Sequence, residues 1–543
     1  MFTSIPAKHS FALGCALAAA FASALIGGPA FAAADSHATK DHVTIDTGEL
    51  QGVVADGVVS FKGIPFAEPP VGQLRWRAPV PAKKWSGVRI ASAHGPDCMQ
   101  IPFPGDAAPL GVPPKEDCLY MNVWAPAKPS SAKLPVMVWI YGGGFVNGGS
   151  SPSVYDGSAF ARSGVVLVSF NYRIARFGFF AHPALSVEQG GKPTANFGLL
   201  DQVAALQWVK RNVAAFGGDP SNVTVFGESA GGMSVNTLLT TPLAAGLLHK
   251  AIIQSGGGRP GMLGGLKMGG GPGSAESTGV GFAKQMGIEG EGADALGKLR
   301  ALSAEDIAKG LNLASMGTPN YVGGPVEDGF LVLGAPTQLY AAGKGAKVPV
   351  MVGATNMDIG FLGAKNMDEL FAMFGDRSAQ ARKLLNPANG TNFGEVAFRA
   401  GGDQMMSEPA RQIARTLSAR GQPTYYFRFS YVAGSLRKQT PGAPHATDIP
   451  FAFDTVAARY GKDLTAQDAA LAKAMHEYWV SFARDGKPVA KGHPDWPAYA
   501  QKNDLIMDFT ATGPVAVPDP WRERMDLAAS ASEAREHAAA TAH

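Results

Sequence analysis

The chain has 543 residues, 46% of them hydrophobic and 17% charged, which supplies a large core and excludes intrinsic disorder. Lys and Arg number 47 against 44 Asp and Glu. No block of five or six basic residues occurs, so nothing in the charge pattern points to a nucleic-acid partner. A length of about 150 residues per domain would suggest three or four domains. No charge-rich or low-complexity linker cuts the chain, however, as is usual for large α/β enzymes that form one unit.

Residues 1–32 read as a secretory signal peptide. Lys8 and His9 begin it, Phe11 to Ile26 are apolar, Gly27-Gly-Pro29 break the run, and Ala30-Phe-Ala32 has the small-x-small pattern of a cleavage site. The apolar run is shorter than the ~20 residues a membrane-spanning helix needs, so export to the periplasm or medium without a stable membrane anchor is expected. Ala12-Leu-Gly-Cys15 faintly resembles a lipid-attachment box but stands at the start of the apolar stretch. After a short segment, 33–43, the folded domain is expected over 44–520. Cleavage would leave Cys98 and Cys118 as the only cysteines, an exported pair that reads as a disulfide.

Leu134-Pro-Val-Met-Val-Trp-Ile140 and Gly164-Val-Val-Leu-Val-Ser-Phe170 are continuous apolar runs of the kind buried parallel strands require. Leu199 to Phe216 repeats apolar residues at helical spacing, and Asn222-Val-Thr-Val-Phe226 follows as a further strand. Strand, helix, strand implies an α/β sheet. Tyr141-Gly-Gly-Gly-Phe145 follows the first strand, and Gly227-Glu-Ser-Ala-Gly231 follows the third. The second is G-x-S-x-G in the context that gives it meaning, a strand entering a sharp turn and then a helix, which would raise the Ser229 hydroxyl above the sheet. Backbone N–H groups of Gly143, Gly144 and Ala230 could converge on the oxyanion formed when Ser229 attacks a carbonyl. Further on, Gly256 to Gly273 reads as a mobile surface loop, Val348–Val352 and Thr424–Phe429 as strands, and Arg522–His543 (with the tail taken as 521–543) as a loosely attached helix or frayed tail.

Long motifs carry a resemblance over about residues 44 to 520. Phe61-Lys-Gly-Ile-Pro-Phe-Ala-Glu-Pro-Pro-Val-Gly72, Glu116-Asp-Cys-Leu-Tyr-Met-Asn-Val123, the Tyr141 glycine loop, Asn171-Tyr-Arg173 and Phe216-Gly-Gly-Asp-Pro-Ser-Asn-Val-Thr-Val-Phe-Gly-Glu-Ser-Ala-Gly-Gly232 all resemble the type-B carboxylesterase family. The resemblance implies the α/β-hydrolase fold of the cholinesterase-like branch, a central mostly parallel sheet flanked by helices with insertions around the site. It also implies serine-dependent hydrolysis of carboxylic esters, in the manner of a bacterial secreted member.

In that fold the acid and then the histidine follow the serine. His445, in Pro441-Gly-Ala-Pro-His-Ala-Thr-Asp-Ile-Pro-Phe451, resembles the family's catalytic histidine motif. His476 falls inside an amphipathic helix, where packing is the expected role. Val348–Val352 leads into Gly353-Ala-Thr-Asn-Met-Asp-Ile-Gly360, where Asp358 takes the acid's place. Two departures mark that site: the family usually has Glu, and Ile359 separates the acid from its glycine. Glu327 is the rival, although Val326-Glu-Asp-Gly-Phe330 resembles a structural turn. Glu228 and Ser234 are expected as supporting residues, and Arg75 with Glu116 as a structural pair.

The Cys98–Cys118 loop has no Trp or Tyr and only Phe103, which disfavours choline-type cation–π recognition. It is also too short for a lipase-like lid. Esters of modest size remain. Arg176 stands where the family commonly has a small residue, and Arg259, Lys267, Arg437 and Lys438 fall in expected rim loops; together they raise a narrower expectation, anionic polycarboxylate esters of the fumonisin type. Cholinesterase-like binding modules lack a working nucleophile, whereas here all triad and oxyanion elements are present. No cofactor is expected, since no H-E-x-x-H or clustered His/Cys pattern offers a metal site, and a single ionisation of His445 near neutrality is expected to govern the rate.

Overall fold

The structure, a computed structural model, describes residues 41–128, 133–190, 192–261, 266–269 and 271–541. The signal-peptide reading, Cys15 and nearly all of segment 33–43 lie outside them, as does the end of the tail. Among the described residues no helix is long and apolar enough to cross a membrane.

Continuous apolar runs become the centre of an eleven-stranded sheet. Its spatial order is Gly513–Pro518, Leu505–Thr510, Thr424–Phe429, Val350–Thr355, Lys250–Gln254, Gly218–Glu228, Leu134–Ile140, Val166–Phe170, Tyr120–Pro126, Val58–Pro65 and Val53–Ala55. The strands from Leu505–Thr510 to Val166–Phe170 pair in parallel, and antiparallel neighbours close both edges. Strands 134–140 and 424–429 match the sequence reading in both bounds, while 222–226 is the inner part of a longer strand. The expected 199–216 helix is an α-helix over Phe197–Asn212 continued by a tighter turn over Val213–Phe216.

One consequence of the strand order places the site. The chain runs from Leu134–Ile140 outward to Val166–Phe170, crosses back through helix Phe197–Asn212, and returns on the other side of Leu134–Ile140 as Gly218–Glu228. Neighbouring strands whose connections leave in opposite directions open a crevice beyond their carboxyl ends. The Tyr141 glycine loop and Ser229 both lie there. Beneath it, Trp139 packs on Phe226, Phe453 and Tyr155 with ring centroids 4.8, 5.0 and 5.2 Å apart.

Two expectations about loops are corrected. Gly256, Gly257, Gly258 and Arg259 are buried, because Gly258 packs near Thr337 and Ile413 and Arg259 is held by Glu408; only the later part of the 256–273 stretch is exposed among its described residues. The C-terminal segment is no loose tail. Arg522–Thr541 is a helix whose Met525, Leu527, Ala528 and Ala531 are buried, with Asp526 on Arg411 at 2.7 Å and Arg524 clamped on Asp403 at 2.5 Å.

Cys98 and Cys118 form the expected disulfide, with Cα atoms 4.9 Å apart across a separation of 20 residues. Closing a loop of that length restrains the unfolded chain by about 3 kcal/mol. Cys98→Ser is expected to lower unfolding free energy by roughly 2 to 4 kcal/mol while hydrolysis survives in the folded variant. Denaturant titration checks the first point. Finding Cys98 and Cys118 as free thiols in the unreduced protein would refute the bridge.

Candidate active site

Strand Gly218–Glu228 ends at Glu228 and helix Ala230–Thr240 begins at Ala230, so Ser229 alone makes the turn. It has φ 58° and ψ −124°, a conformation costly for any residue with a Cβ. The flanking glycines permit it. A Cβ on Gly231 would collide with the Ile140 carbonyl, and one on Gly227 would strike Gly231 and the same carbonyl. The Ser229 N–H donates to the Gln254 carbonyl at 3.0 Å, and its own carbonyl accepts from Met233 N–H at 2.8 Å. The strained residue is held at both ends.

The glycine loop lies against this turn. A Cβ on Gly142 would sit 3.0 Å from the Ser229 Cβ. Gly143, Gly144 and Phe145 have φ of 104°, 61° and 61°, which turns their peptide planes away from the usual strand directions. Among the described residues none accepts a backbone hydrogen bond from Gly143 or Gly144 N–H. Ala230 is the first residue of its helix, so its N–H has no intrahelical acceptor and sits at the positive end of the helix dipole.

Loops after two later strands bring His445 and Asp358 together, with Nδ1 to Oδ1 at 2.6 Å. Asp358 is buried. Its Oδ1 also accepts from Ile359 N–H at 2.8 Å, and its Oδ2 accepts from Ser255 Oγ at 2.6 Å and Thr355 N–H at 3.2 Å. Burial alone would raise this carboxyl. The charge and hydrogen bond of His445, with the Ser255 and Ile359 donors, hold it below the usual aspartate range. The departure at Ile359 has a packing context: Gly360 lies directly on Gly401, and a Cβ on Gly402 would press on the Asp358 carbonyl. The acid loop is seated against these glycines just before the π-helical turn Asp403–Ser407.

On the other side of the ring, His445 Nε2 stands 3.2 Å from Glu228 Oε1, close enough for ion pairing although not aligned as a hydrogen bond. Among the described residues no hydrogen bond joins Ser229 Oγ to His445. Burial pushes Glu228 up to about 8, and burial pushes Asp448 up to about 6 although Gln254 Nε2 donates to it at 2.7 Å. Burial lowers His445, but the charges of Glu228 and Asp358 outweigh it and raise the imidazole above its ordinary value. Protonating Glu228 removes part of the charge that holds the proton on His445, so the two titrate as a pair. The single ionisation near neutrality expected from the sequence becomes a coupled one.

Other expected residues fall outside this cluster. Ser234 Oγ donates to the Ala230 carbonyl and accepts from Gln202, and does not reach His445 or Asp358. Glu327 pairs through its backbone with Leu266 and Met268. His476 is buried, its Nδ1 on the Ala452 carbonyl and its ring against Phe160. Arg75 grips Glu116 at 2.5 and 2.6 Å and donates to the carbonyls of Arg300 and Leu302, a structural clamp. Two of the cations expected to favour anionic acyl groups are corrected. Arg176 is buried and donates to the carbonyls of Asn320, Ile307 and Lys309; Arg259 is buried between Glu408 and Glu536. Lys267, Arg437 and Lys438 are exposed. Sequence reasoning missed Ser255 and Asp448. The signal for Ser255 was its place, directly beyond the carboxyl end of the apolar run Lys250–Gln254, where parallel sheets present their working residues.

A parallel sheet with a serine turn at its switch point and a His–Asp pair from later loops defines an α/β-hydrolase. The chain belongs to the carboxylesterase family, whose sequence profile matches residues 39–393 and 385–517. It is 35% identical over 481 residues to the fumonisin B1 esterase of Sphingopyxis macrogoltabida, covering 85% of each chain. It is 35% identical over 501 residues to the para-nitrobenzyl esterase of Bacillus subtilis, covering 87% of this chain and 96% of that one. A solved PNB esterase superposes with TM-score 0.75 at 32% identity, covering 90% of this chain and 99% of the other. The chain is a carboxylic ester hydrolase.

The Glu228 contact has a measurable sign. Glu228 holds the proton on His445, so Glu228→Gln is expected to move the acid limb of the kcat/KM profile to lower pH, because the neutral imidazole then persists further into acid. A limb that stays in place or moves upward would show that Glu228 does not act on His445.

Proposed function

We propose that Ser229 is the nucleophile, His445 its base and Asp358 the orienting acid, with Gly143, Gly144 and Ala230 N–H groups as the oxyanion hole. The observation that carries the reading is the 2.6 Å His445–Asp358 bond on one side of the ring, with Nε2 on the other side 3.2 Å from Glu228, the residue before Ser229. Asp358 accepts a hydrogen bond from Nδ1–H, which fixes that tautomer and leaves the basic lone pair on Nε2. His445 accepts the Ser229 proton as Oγ bonds to the ester carbonyl carbon, and the carbonyl electrons move onto oxygen. The alcohol leaves with the proton from His445. Water, deprotonated by the same ring, then bonds to the acyl carbon, the bond to Ser229 Oγ breaks to release the acid, and Oγ regains its proton from His445. Each oxyanion donor is worth about 3 kcal/mol, and the route needs no cofactor.

Ser229→Ala is expected to remove nearly all turnover, about 10⁴-fold or more, with the fold intact. Asp358→Asn should cost about 10³- to 10⁴-fold, since the amide cannot hold the productive tautomer. Organophosphate labelling at another residue would overturn the nucleophile. A crippling Glu327→Gln beside a mild Asp358→Asn would overturn the acid.

A narrower reading is supported by the identity to a fumonisin B1 esterase: acyl groups that carry further carboxylates. Arg176 and Arg259 are committed elsewhere, which leaves exposed Lys267, Lys438 and Arg437, the last also donating to Val432, Tyr431 and Gln467; Arg437 and Lys438 are on the segment leading to His445. An R437A/K438A double variant should raise KM for carboxylate-bearing acyl esters and leave neutral esters unchanged. Equal effects on both would remove the reading.

Export as a secreted or periplasmic member, with a signal at 1–32 and the hydrolase domain over 44–520, is supported by the Cys98–Cys118 disulfide, a bond favoured in oxidising compartments. N-terminal sequencing of the mature chain, expected to begin at Ala33, tests it.

A further inference from the structure

The oxyanion loop is held by a residue that no motif marks. Three consecutive residues, Gly143 to Phe145, occupy the left-handed region of backbone space, and Phe145 does so with a side chain. Backbone of this kind persists only where its surroundings over-determine it. Asn147 supplies much of that determination. Its N–H donates to the Gly143 carbonyl at 2.9 Å. Its side chain is buried, and both its N–H donors and its carbonyl oxygen are engaged. Nδ2 donates to Gln100 Oε1 at 3.0 Å and to the Ile101 carbonyl at 2.8 Å, both in the disulfide loop. Oδ1 accepts from Leu313 N–H at 2.9 Å.

Those bonds join three separate segments at the donors. Gln100 is also buried; its Oε1 accepts from Gly148 N–H at 2.9 Å, and its Nε2 donates to the Gly148 carbonyl at 2.6 Å. On the far side, Leu313 and Met316 lie over Gly144 so closely that a Cβ there would touch the Met316 sulfur and Leu313 Cδ2. The amide therefore fixes where Gly143 and Gly144 present their N–H groups and where the apolar turn above them sits.

We propose that Asn147 is a positioning residue for the oxyanion hole, clamping the Gly143–Gly144 donors between the disulfide loop and the Leu313–Met316 turn. This rests on the reading of Ser229 as the nucleophile with Gly143 and Gly144 as its oxyanion donors. A misplacement of about 1 Å in groups that act on a transition state costs on the order of 10²-fold, while ground-state binding of the ester barely senses it.

The test separates a positioning role from a merely structural one. Asn147→Ala is expected to lower kcat for p-nitrophenyl butyrate by about 10- to 100-fold with KM changed less than about twofold. A trifluoromethyl ketone reports on the same donors. Ser229 Oγ bonds to its carbonyl carbon, the carbonyl electrons move onto oxygen as an oxyanion, and the serine proton passes to His445. Its inhibition constant should rise by the same factor as kcat/KM falls. If Asn147→Ala does not fold, Asn147→Asp keeps the acceptor for Leu313, removes the donors to Gln100 and Ile101, and carries the same expectation. A folded variant with wild-type kcat, or one whose loss lies in KM with ketone binding unchanged, overturns the proposal. The underlying reading fails separately, through a Ser229→Ala enzyme that remains active.

Discussion

The site depends on one close approach, the Gly227-Glu-Ser-Ala-Gly231 turn pressed against the carbonyl of Ile140 at the end of the neighbouring strand. That contact is possible only because two side chains are missing, and it forces Ser229 into a conformation that costs about 1 to 3 kcal/mol. The strain is tolerated because the strands beneath it are packed from both faces, with Trp139, Phe226 and Phe453 in mutual ring contact. With the turn fixed, the strand order supplies the rest. The glycine loop, the Ser255 hydroxyl, the Asp358 loop and the Thr424–Phe429 strand all follow from parallel neighbours whose carboxyl ends share one edge.

Electrostatics then separates three buried carboxylates that are chemically alike. Asp358 receives a hydroxyl, two backbone N–H groups and the imidazole, so it stays ionised despite burial. Glu228 is buried with no hydrogen-bonded partner on Oε1, so its proton is retained to higher pH. Asp448 lies between these cases, with Gln254 on one oxygen and none on the other. Environments that push like groups apart assign them different work: a fixed negative charge at Nδ1 and a titrating one at Nε2.

What the sequence makes legible is whatever is local in the chain. Apolar continuity marks the central strands, and G-x-S-x-G after Asn222–Phe226 marks the turn, because a strand, a tight turn and a helix must be contiguous. The His445–Asp358 pairing was reachable through motif order, although the shorter acid with its shifted glycine becomes intelligible only once Gly360 is seen against Gly401. Ser255 and Asn147 were not legible. Each acts across more than a hundred residues, Ser255 on Asp358 and Asn147 on Leu313, and nothing in their neighbours signals the partner. Formal charge was the least reliable guide, since Arg176 and Arg259 look like surface cations until their acceptors are located.

Those two arginines bear on the shape of the loops around the site. Arg176 uses its guanidinium on carbonyls of the segments around Ile307 and Asn320, which flank the turn bearing Leu313 and Met316. Arg259 ties the loop after Ser255 to Glu408 and, through Glu536, to the C-terminal helix. A buried pair of this kind contributes little net stability, but removing one partner leaves an uncompensated charge. Both cations therefore act as clamps that set loop geometry. Over Gly144 of the glycine loop lie the Met316 thioether and the Leu313 side chain, while the Glu228 carboxylate lies against Gly142. Neither guanidinium is free to meet a ligand, so what these two residues contribute is the placing of the Leu313–Met316 turn and of the loop after Ser255.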